Sequence, residues 1–231
     1  MSHTNRSENG PVTEVARLTL KDGIKVADLE GDGEYAKIWR GTLDTIASQK
    51  GYNGSYYGAV IEETEKEVLA WYIDWTSLAH HKSFMESPAY PSLLENISSI
   101  IQGADIKHVE KLNVKEIAGK GVMEVAVFFD VEDVFIEGIN NFIGTLKKVQ
   151  AQKKIAGFLG LLEYGEVIEK IAKNSDAKEE EKGRAVVFVV GWENVAAHTA
   201  FQGTQEFKDT IGYLTKGISG FDVSHVALKS A

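Results

Sequence analysis

The stretch Trp75-Thr-Ser-Leu-Ala-His-His-Lys-Ser-Phe-Met-Glu-Ser-Pro-Ala-Tyr90 decides the fold, because its spacing occurs twice in this chain. The second copy lies 117 residues later, and the match between the two copies contains no insertion. The matched positions are Trp75, His81, Phe84, Ser87, Tyr90, Asp105 and His108, and then Trp192, His198, Phe201, Thr204, Phe207, Asp222 and His225. An ungapped match of this length predicts a duplicated domain, whose two copies are called lobe one and lobe two below.

The duplication divides the 231 residues into two lobes of ordinary domain size. We predict a disordered tail at 1–11, a first lobe at 12–112, a linker at 113–121 and a second lobe at 122–231. In each lobe, period-two segments and amphipathic helical segments follow the order βαββαβ. The last helical segments are expected at 91–101 in lobe one and at 195–215 in lobe two.

A βαββαβ unit forms a four-stranded antiparallel sheet with both helices on one face. The other face stays apolar and uncovered, which is typical of an interface. The predicted fold class is therefore α+β, with two tandem ferredoxin-like βαββαβ units that bury their bare sheet faces against each other. We expect a pseudo-twofold α+β barrel, with helices outside and a cavity between the sheets.

Composition argues against several classes of function. The formal net charge of −9 argues against a nucleic-acid partner, because phosphate binding needs clustered basic residues. The chain has no cysteine, which excludes disulfides and zinc–thiolate sites. No apolar run approaches the roughly 18 residues of a membrane span, and the N-terminal segment lacks the apolar core of a secretory signal. We expect a cytoplasmic protein without a membrane partner.

The strand that ends at Trp75 and the segment that follows it, through Tyr90, resemble the antibiotic biosynthesis monooxygenase family. This family belongs to the dimeric α+β barrel superfamily. The resemblance covers both lobes, so that a fused pseudo-dimer would replace the usual homodimer. It implies a hydrophobic, aromatic or polyketide-type small molecule in the barrel. The superfamily includes cofactor-free monooxygenases, haem-degrading enzymes, polyketide cyclases and isomerases, so the fold does not select a reaction.

The four repeated histidines have two interpretations. His81 and His198 begin an outer helix, and His108 and His225 lie in the last strand of their lobes. Their presence in both lobes favours an architectural role, since a duplicated fold must be stabilised twice. Alternatively, His108 or His225 points into the barrel and transfers a proton, as imidazole does near neutral pH.

The unrepeated polar residues of lobe one suggest the position of a site. Arg17 on the first strand corresponds to Val127. The hairpin residues of lobe one are polar or aromatic where we match mostly apolar residues in lobe two: Tyr56, Tyr57, Trp71, Tyr72 and Asp74 match Phe158, Leu159, Phe188, Val189 and Gly191. A buried polar group without a partner costs about 1–3 kcal/mol, so a ligand is a natural partner for such groups. This asymmetry predicts that the site lies in lobe one.

The resulting hypothesis is a cofactor-free oxygenase or a cyclase/isomerase. Trp71, Trp75 and whichever of Tyr56 and Tyr57 faces inward would enclose the substrate. Tyr72 or His108 would transfer a proton, and Arg17 would stabilise an oxyanion. Asp74 and His81 complete the set of catalytic candidates. Because side chains alternate along a strand, Trp71 and Tyr72 cannot both face the cavity.

No cofactor or metal is predicted. Asp105 and His108 lie three apart on a strand and therefore point to opposite faces, which prevents chelation by this pair. Haem-degrading relatives use an Asn on the first strand, and 13–20 contains none. The alternative to an enzyme is a non-catalytic barrel that binds a hydrophobic ligand, with haem a less favoured one.

Overall fold

A computed structural model describes residues 9–174 and 176–231, so most of the predicted tail lies outside the described residues. Lobe one contains β1 (Val12–Leu20), α1 (Glu34–Ala47), β2 (Tyr52–Ala59), β3 (Val68–Trp75), α2 (Leu78–Met85), α3 (Ala89–Ile97) and β4 (Ile101–Glu110). Lobe two contains β5 (Val122–Phe129), α4 (Asp133–Gln152), β6 (Phe158–Glu166), β7 (Ala185–Trp192), α5 (Val195–Gln202), α6 (Gln205–Thr210), β8 (Gly220–Val226) and β9 (Lys229–Ser230). None of these helices is long and apolar enough to cross a membrane.

The strands form two antiparallel sheets, as the predicted α+β fold requires. The orders are β4-β1-β3-β2-β9 and β6-β7-β5-β8. The short strand β9 was not predicted, and it carries the end of lobe two onto the edge of the lobe-one sheet. The predicted pair of ferredoxin-like units is confirmed.

The helix predicted at 195–215 is divided into α5, α6 and a 3-10 turn at Ile211–Leu214. Gly203 is the C-terminal cap of α5, and the next residue, Thr204, caps α6 by accepting a hydrogen bond from the Phe207 amide. A hydroxyl that accepts from the third residue of a new helix is a strong start signal, and it interrupts the longer pattern here.

The space between the sheets is filled rather than hollow. Val15, Ala70 and Tyr72 of lobe one pack there with Val125 and other buried residues of lobe two. Each sheet also packs against its own helices through a separate apolar core. The prediction of a cavity between the sheets is therefore wrong for this layer, because apolar side chains from both sheets occupy it.

The register of the hairpins corrects one predicted match between the lobes. Tyr56 pairs with Tyr72, whereas Glu163 pairs with Val189. Because Tyr72 and Val189 are equivalent positions, Tyr56 corresponds to Glu163 and not to Phe158. The β6 strand shifts register after Phe158, which the sequence comparison did not anticipate. Lobe two is therefore less uniformly apolar than the sequence comparison suggested.

Candidate functional site

Each lobe contains a buried group of one glutamate, one tryptophan and two histidines. In lobe one, Glu14 on β1 lies opposite His108 on β4 in the sheet register. Trp75 Nε1 donates to Glu14 Oε2 at 2.9 Å, and His81 Nε2 lies 3.5 Å from the same oxygen. His81 Nδ1 lies 2.6 Å from His108 Nε2. Strand pairing and the start of α2 therefore bring together side chains that are far apart in the sequence.

Lobe two repeats this geometry. Glu124 on β5 lies opposite His225 on β8, and Trp192 Nε1 donates to Glu124 Oε2 at 2.8 Å. His198 Nε2 is 3.4 Å from Glu124 Oε2, and its Nδ1 is 2.8 Å from His225 Nε2. The Trp192 and His198 rings stack with centroids 5.3 Å apart. In addition, the Gln202 amide lies 3.1 Å from His198 Nε2.

In each lobe, the histidine on the last long strand contacts a glutamate that comes from the opposite lobe. Glu62, in the β2–β3 connection of lobe one, lies 2.5 Å from His225 Nδ1 and accepts from the His225 amide at 2.7 Å. Glu169, in the β6–β7 connection of lobe two, contacts His108 in the same way, at 2.5 Å and 2.9 Å. We call each four-residue chain of glutamate, histidine, histidine and glutamate a relay.

A short sequence repeat marks these cross-lobe glutamates. Val60-Ile61-Glu62 and Val167-Ile168-Glu169 are identical tripeptides that immediately follow β2 and β6. The valines form bridges to Val226 and Val109 of the opposite lobe, which holds each glutamate beside its histidine. The tripeptides are 107 residues apart rather than 117, so a comparison at a fixed spacing misses them.

When Glu62 is ionised, the hydrogen bonds of the lobe-two relay fit one assignment of the histidine protons. If Glu62 is ionised, it accepts from His225 Nδ1, and His225 Nε2 then accepts from His198 Nδ1. His198 Nε2 then has a lone pair that accepts from the Gln202 amide at 3.1 Å and, when Glu124 is protonated, from its carboxyl group at 3.4 Å. This assignment follows from donor and acceptor matching, with both histidines neutral.

The electrostatic environment agrees with this arrangement. Burial raises the pKa of Glu124 to about 7, against the opposing effect of the hydrogen bond from Trp192. Burial lowers the pKa of His198 to about 4. Partial burial opposes ionisation of Glu62, but hydrogen bonds from the backbone and ring of His225 outweigh it and lower the pKa of Glu62. A pKa near neutral lets Glu124 both accept and donate a proton, which suits a general base.

A cavity of about 470 Å³ lies between the lobe-two sheet and its helices. Two residues that line it are titratable, namely Glu124 and His198, and Gln202 and Thr215 add neutral polar groups. The rest of the lining is apolar: Ala126, Phe128, Phe142, Leu146, Phe188, Val190, Trp192, Phe201, Phe207, Ile211, Leu214, Phe221 and Val223. This size and this apolar lining with few polar groups are typical of small-molecule sites.

Aromatic rings occupy the corresponding space in lobe one. Trp39 of α1 and Trp71 of β3 pack edge to face with centroids 4.8 Å apart, and Trp39 also packs against Tyr57 at 5.2 Å. Trp71 is equivalent to Phe188, which lines the lobe-two cavity. The indole nitrogens of Trp39 and Trp71 are buried without a hydrogen-bond partner.

The structure brings together only some of the predicted site residues. Trp75, His81 and His108 belong to the lobe-one relay, and Trp71 and Tyr57 lie on the same helix-facing side of the sheet.

Arg17, Tyr56, Tyr72 and Asp74 lie on the opposite face, toward lobe two. Tyr72 is buried in the inter-sheet core, which raises its pKa, and Asp74 accepts a hydrogen bond from Thr13 at 2.8 Å. Arg17 contacts Ser224 and Glu63 near the surface. The sheet therefore separates the candidate residues into two groups, as the alternation of side chains along a strand requires, and they do not form one site.

The relay residues are also of the types that bind metal ions. One donor atom from each of Glu124, His198 and His225 lies within 4.8 Å of the others, and Glu14, His81 and His108 match them. Two nitrogens bound to the same ion at about 2.1 Å stand roughly 3 Å or more apart. The observed histidine pairs, at 2.6 and 2.8 Å, are closer than that and fit hydrogen bonds. That no metal is bound stays a prediction.

Comparison with solved structures confirms the fold over the whole chain. An "anthrone oxidase-like protein" aligns with a TM-score of 0.59 and 14% identity over 97% of this chain and 95% of its own. A "putative monooxygenase" from Lactobacillus acidophilus aligns with a TM-score of 0.56 and 12% identity over 96% of both chains. Another of that name, from Fusobacterium nucleatum, gives 0.51 and 14% over 96% of this chain and 92% of its own. No protein-family model and no curated protein matches the sequence.

Proposed function

We propose that this protein is an enzyme that deprotonates a planar, hydrophobic phenol or ketone in the lobe-two cavity, with Glu124 as the general base. The resulting phenolate or enolate reacts with dioxygen, and the substrate itself supplies the electrons. The observation that carries the proposal is the position of Glu124 and His198 as the titratable pair in an otherwise apolar, aromatic-lined cavity. The proposal places catalysis in lobe two rather than in lobe one.

Anthrone-type molecules have the chemistry that this cavity suits. Their CH₂ group lies between two aryl rings and is acidified by a conjugated carbonyl, so a carboxylate can remove a proton from it. Electron transfer from the carbanion to dioxygen and recombination form a C–O bond. Glu124 returns its proton to the peroxide, and loss of water leaves a ketone. The balance is R₂CH₂ + O₂ → R₂CO + H₂O, with no external reductant.

The apolar walls assist this chemistry in two ways. Phe128, Phe188 and Trp192 offer aromatic faces to a planar ring system, and aromatic pairs contribute about 0.5–1.5 kcal/mol each beyond burial. The low polarity of the cavity keeps the pKa of Glu124 high, which makes it a stronger base than an exposed carboxylate. The names of the whole-chain structural neighbours agree with an oxygenase, although their likeness extends to fold alone.

The proposal is tested by incubating the protein with anthrone and measuring dioxygen uptake together with anthraquinone formation. We expect one dioxygen consumed for each anthraquinone formed, and no product under anaerobic conditions. Product formation without dioxygen uptake would instead identify an isomerase or cyclase that uses the same proton abstraction. Turnover no faster than that of anthrone in buffer would contradict an oxygenase of this substrate class.

One observation favours a second candidate, a barrel that binds a hydrophobic ligand without catalysis. Lobe one keeps a complete relay although Trp39 and Trp71 occupy the adjacent space. A relay can therefore stabilise the contact between lobes without serving a substrate. A binding protein would take up anthrone, detected by quenching of Trp192 fluorescence, and would release it unchanged.

A further inference from the structure

The lobe-two relay extends from the cavity to solvent. Glu124 and His198 line the cavity, whereas the side chain of His225 is 8% exposed and that of Glu62 is 43% exposed. Each link is within hydrogen-bond distance except the contact from Glu124 Oε2 to His198 Nε2, at 3.4 Å. The surface end of the relay thus belongs to lobe one, and the cavity end belongs to lobe two.

We propose that Glu62 of lobe one controls the protonation of Glu124 in lobe two through His198 and His225. This inference rests on the proposed function, because it takes Glu124 as the group that accepts the substrate proton. Glu62 is a positioning residue, since it acts through two imidazoles and does not touch the cavity. The active site is then complete only when the two lobes are docked.

The relay has two arrangements that differ by one step of every proton. In the first, Glu124 is protonated, both histidines carry Nδ1–H, and Glu62 is ionised. In the second, each proton has moved one step outward: both histidines carry Nε2–H, Glu62 is protonated, and Glu124 is an ionised base. Moving one proton between the two carboxyl groups therefore switches Glu124 between general acid and general base. The oxygenation proposed above needs both states in turn.

The charged groups around the relay do not replace Glu62. Arg17, on β1 of lobe one, approaches Ser224 next to His225, but its ion pair is with Glu63. On β8, Asp222 pairs with Lys173. Among the ion pairs of the described residues, His225 is the one basic partner of Glu62. Within this part of the chain, Glu62 and His198 are the two side chains that contact the ring nitrogens of His225.

The substitution Glu62→Gln has a specific expected consequence. The His225 amide is a fixed donor, so the single amide oxygen of Gln accepts from it, and the amide NH₂ faces His225 Nδ1. His225 then carries Nε2–H and donates to His198, whose Nε2–H donates to Glu124. The relay is locked in the second arrangement, with Glu124 ionised but less basic and unable to pass its proton outward.

The experiment compares Glu62→Gln with Glu169→Gln, the same change in the relay of lobe one. Imidazole ¹⁵N shifts of histidine-labelled protein report the tautomers, and ¹³C shifts of labelled glutamate report the titration of Glu124. We expect Glu62→Gln to move the His225 proton from Nδ1 to Nε2 and to shift the titration of Glu124 to lower pH. With anthrone, kcat falls about tenfold or more, whereas Glu169→Gln leaves it unchanged.

Glu62→Asp keeps a carboxylate and restores part of the lost kcat, and thermal unfolding of all three variants separates this effect from instability. An unchanged His225 tautomer in Glu62→Gln, or an equal loss of kcat in Glu62→Gln and Glu169→Gln, overturns the relay. The two NMR measurements need no substrate. A tautomer change in a protein that does not oxidise anthrone would therefore uphold the relay and contradict the proposed function.

Discussion

Lobe one and lobe two have the same relay but differ in what lies beside it. In lobe two, the inner glutamate faces a cavity of about 470 Å³. In lobe one, Trp39 and Trp71 pack against each other on the corresponding side of the sheet. The difference separates two roles that a duplicated motif can have, because the same hydrogen bonds can stabilise a lobe contact or serve a bound molecule.

The relays are reciprocal, because each one ends at a glutamate of the opposite lobe. Glu62 of lobe one reaches His225 of lobe two, and Glu169 of lobe two reaches His108 of lobe one. Each relay therefore fastens one connection to the opposite lobe, whether or not a cavity is present. The contacts in both lobes fit the architectural interpretation of the repeated histidines, and the proposed catalytic role concerns lobe two.

The largest expected effect comes from neutralising the inner glutamate of lobe two. Glu124→Gln removes the proposed base and is expected to lower turnover of anthrone by roughly 10²–10⁴-fold, the usual contribution of general base catalysis. Glu14→Gln makes the same change beside Trp75 in lobe one and is expected to leave turnover within about twofold of wild type. Dioxygen uptake measures both. Equal losses in the two variants would contradict the assignment of catalysis to lobe two.

The packing difference can be tested through stability. Trp39→Ala removes a fully buried ring from a filled core and is expected to lower the free energy of unfolding by about 3–5 kcal/mol. Phe142→Ala removes a ring that already borders the cavity, so fewer contacts are lost and the cost is smaller by about 1–2 kcal/mol. Chemical denaturation gives both values. A larger loss for Phe142→Ala would show that lobe two is the better packed lobe.

Copying the lobe-one aromatic into lobe two tests whether the cavity binds substrate. Phe188→Trp introduces the residue found at the equivalent Trp71, and the larger ring takes up part of the cavity. We expect KM for anthrone to rise about tenfold, because the larger ring occupies space that the substrate needs. Stability should change little, because the cavity has free space for the added ring atoms. Trp71→Phe in lobe one is the matched control and should leave KM unchanged. An unaltered KM in Phe188→Trp would place the substrate elsewhere.

The fold could be predicted from the sequence because the hydrophobic patterns of its strands and helices are local and occur in both lobes. The βαββαβ order follows from period-two and amphipathic helical segments within each lobe, and Ser77, which accepts a hydrogen bond from the His80 amide, marks the start of α2. The pattern failed where a cap interrupted it at Thr204, and it could not place β9, whose two residues pair with the opposite lobe.

The site was harder to predict because its partners are distant in the sequence. Glu14 and Glu124 occupy equivalent positions on the first strand of each lobe, and both were missed among the more conspicuous histidines. The predicted polar residues, such as Tyr72 and Asp74, lie on the inter-sheet face. The alternation of side chains along a strand shows which residues share a face, but it does not show which face contacts the ligand. The volume of a cavity depends on how side chains pack in three dimensions, and the spacing of residues in the sequence does not determine that packing.

The smallest expected effect is a shift in pH dependence, and it again separates the lobes. Because ionised Glu124 is the base and its pKa is about 7, kcat/KM for anthrone is expected to rise as the pH increases through about 7. Trp192→Phe removes the hydrogen bond that stabilises the ionised carboxylate, so the pKa of Glu124 rises further. The increase in kcat/KM is then expected at a pH about one unit higher. Trp75→Phe removes the matching hydrogen bond to Glu14 and is expected to leave the pH dependence unchanged. A shift in both variants, or in neither, would mean that the titration seen in the rate does not belong to Glu124.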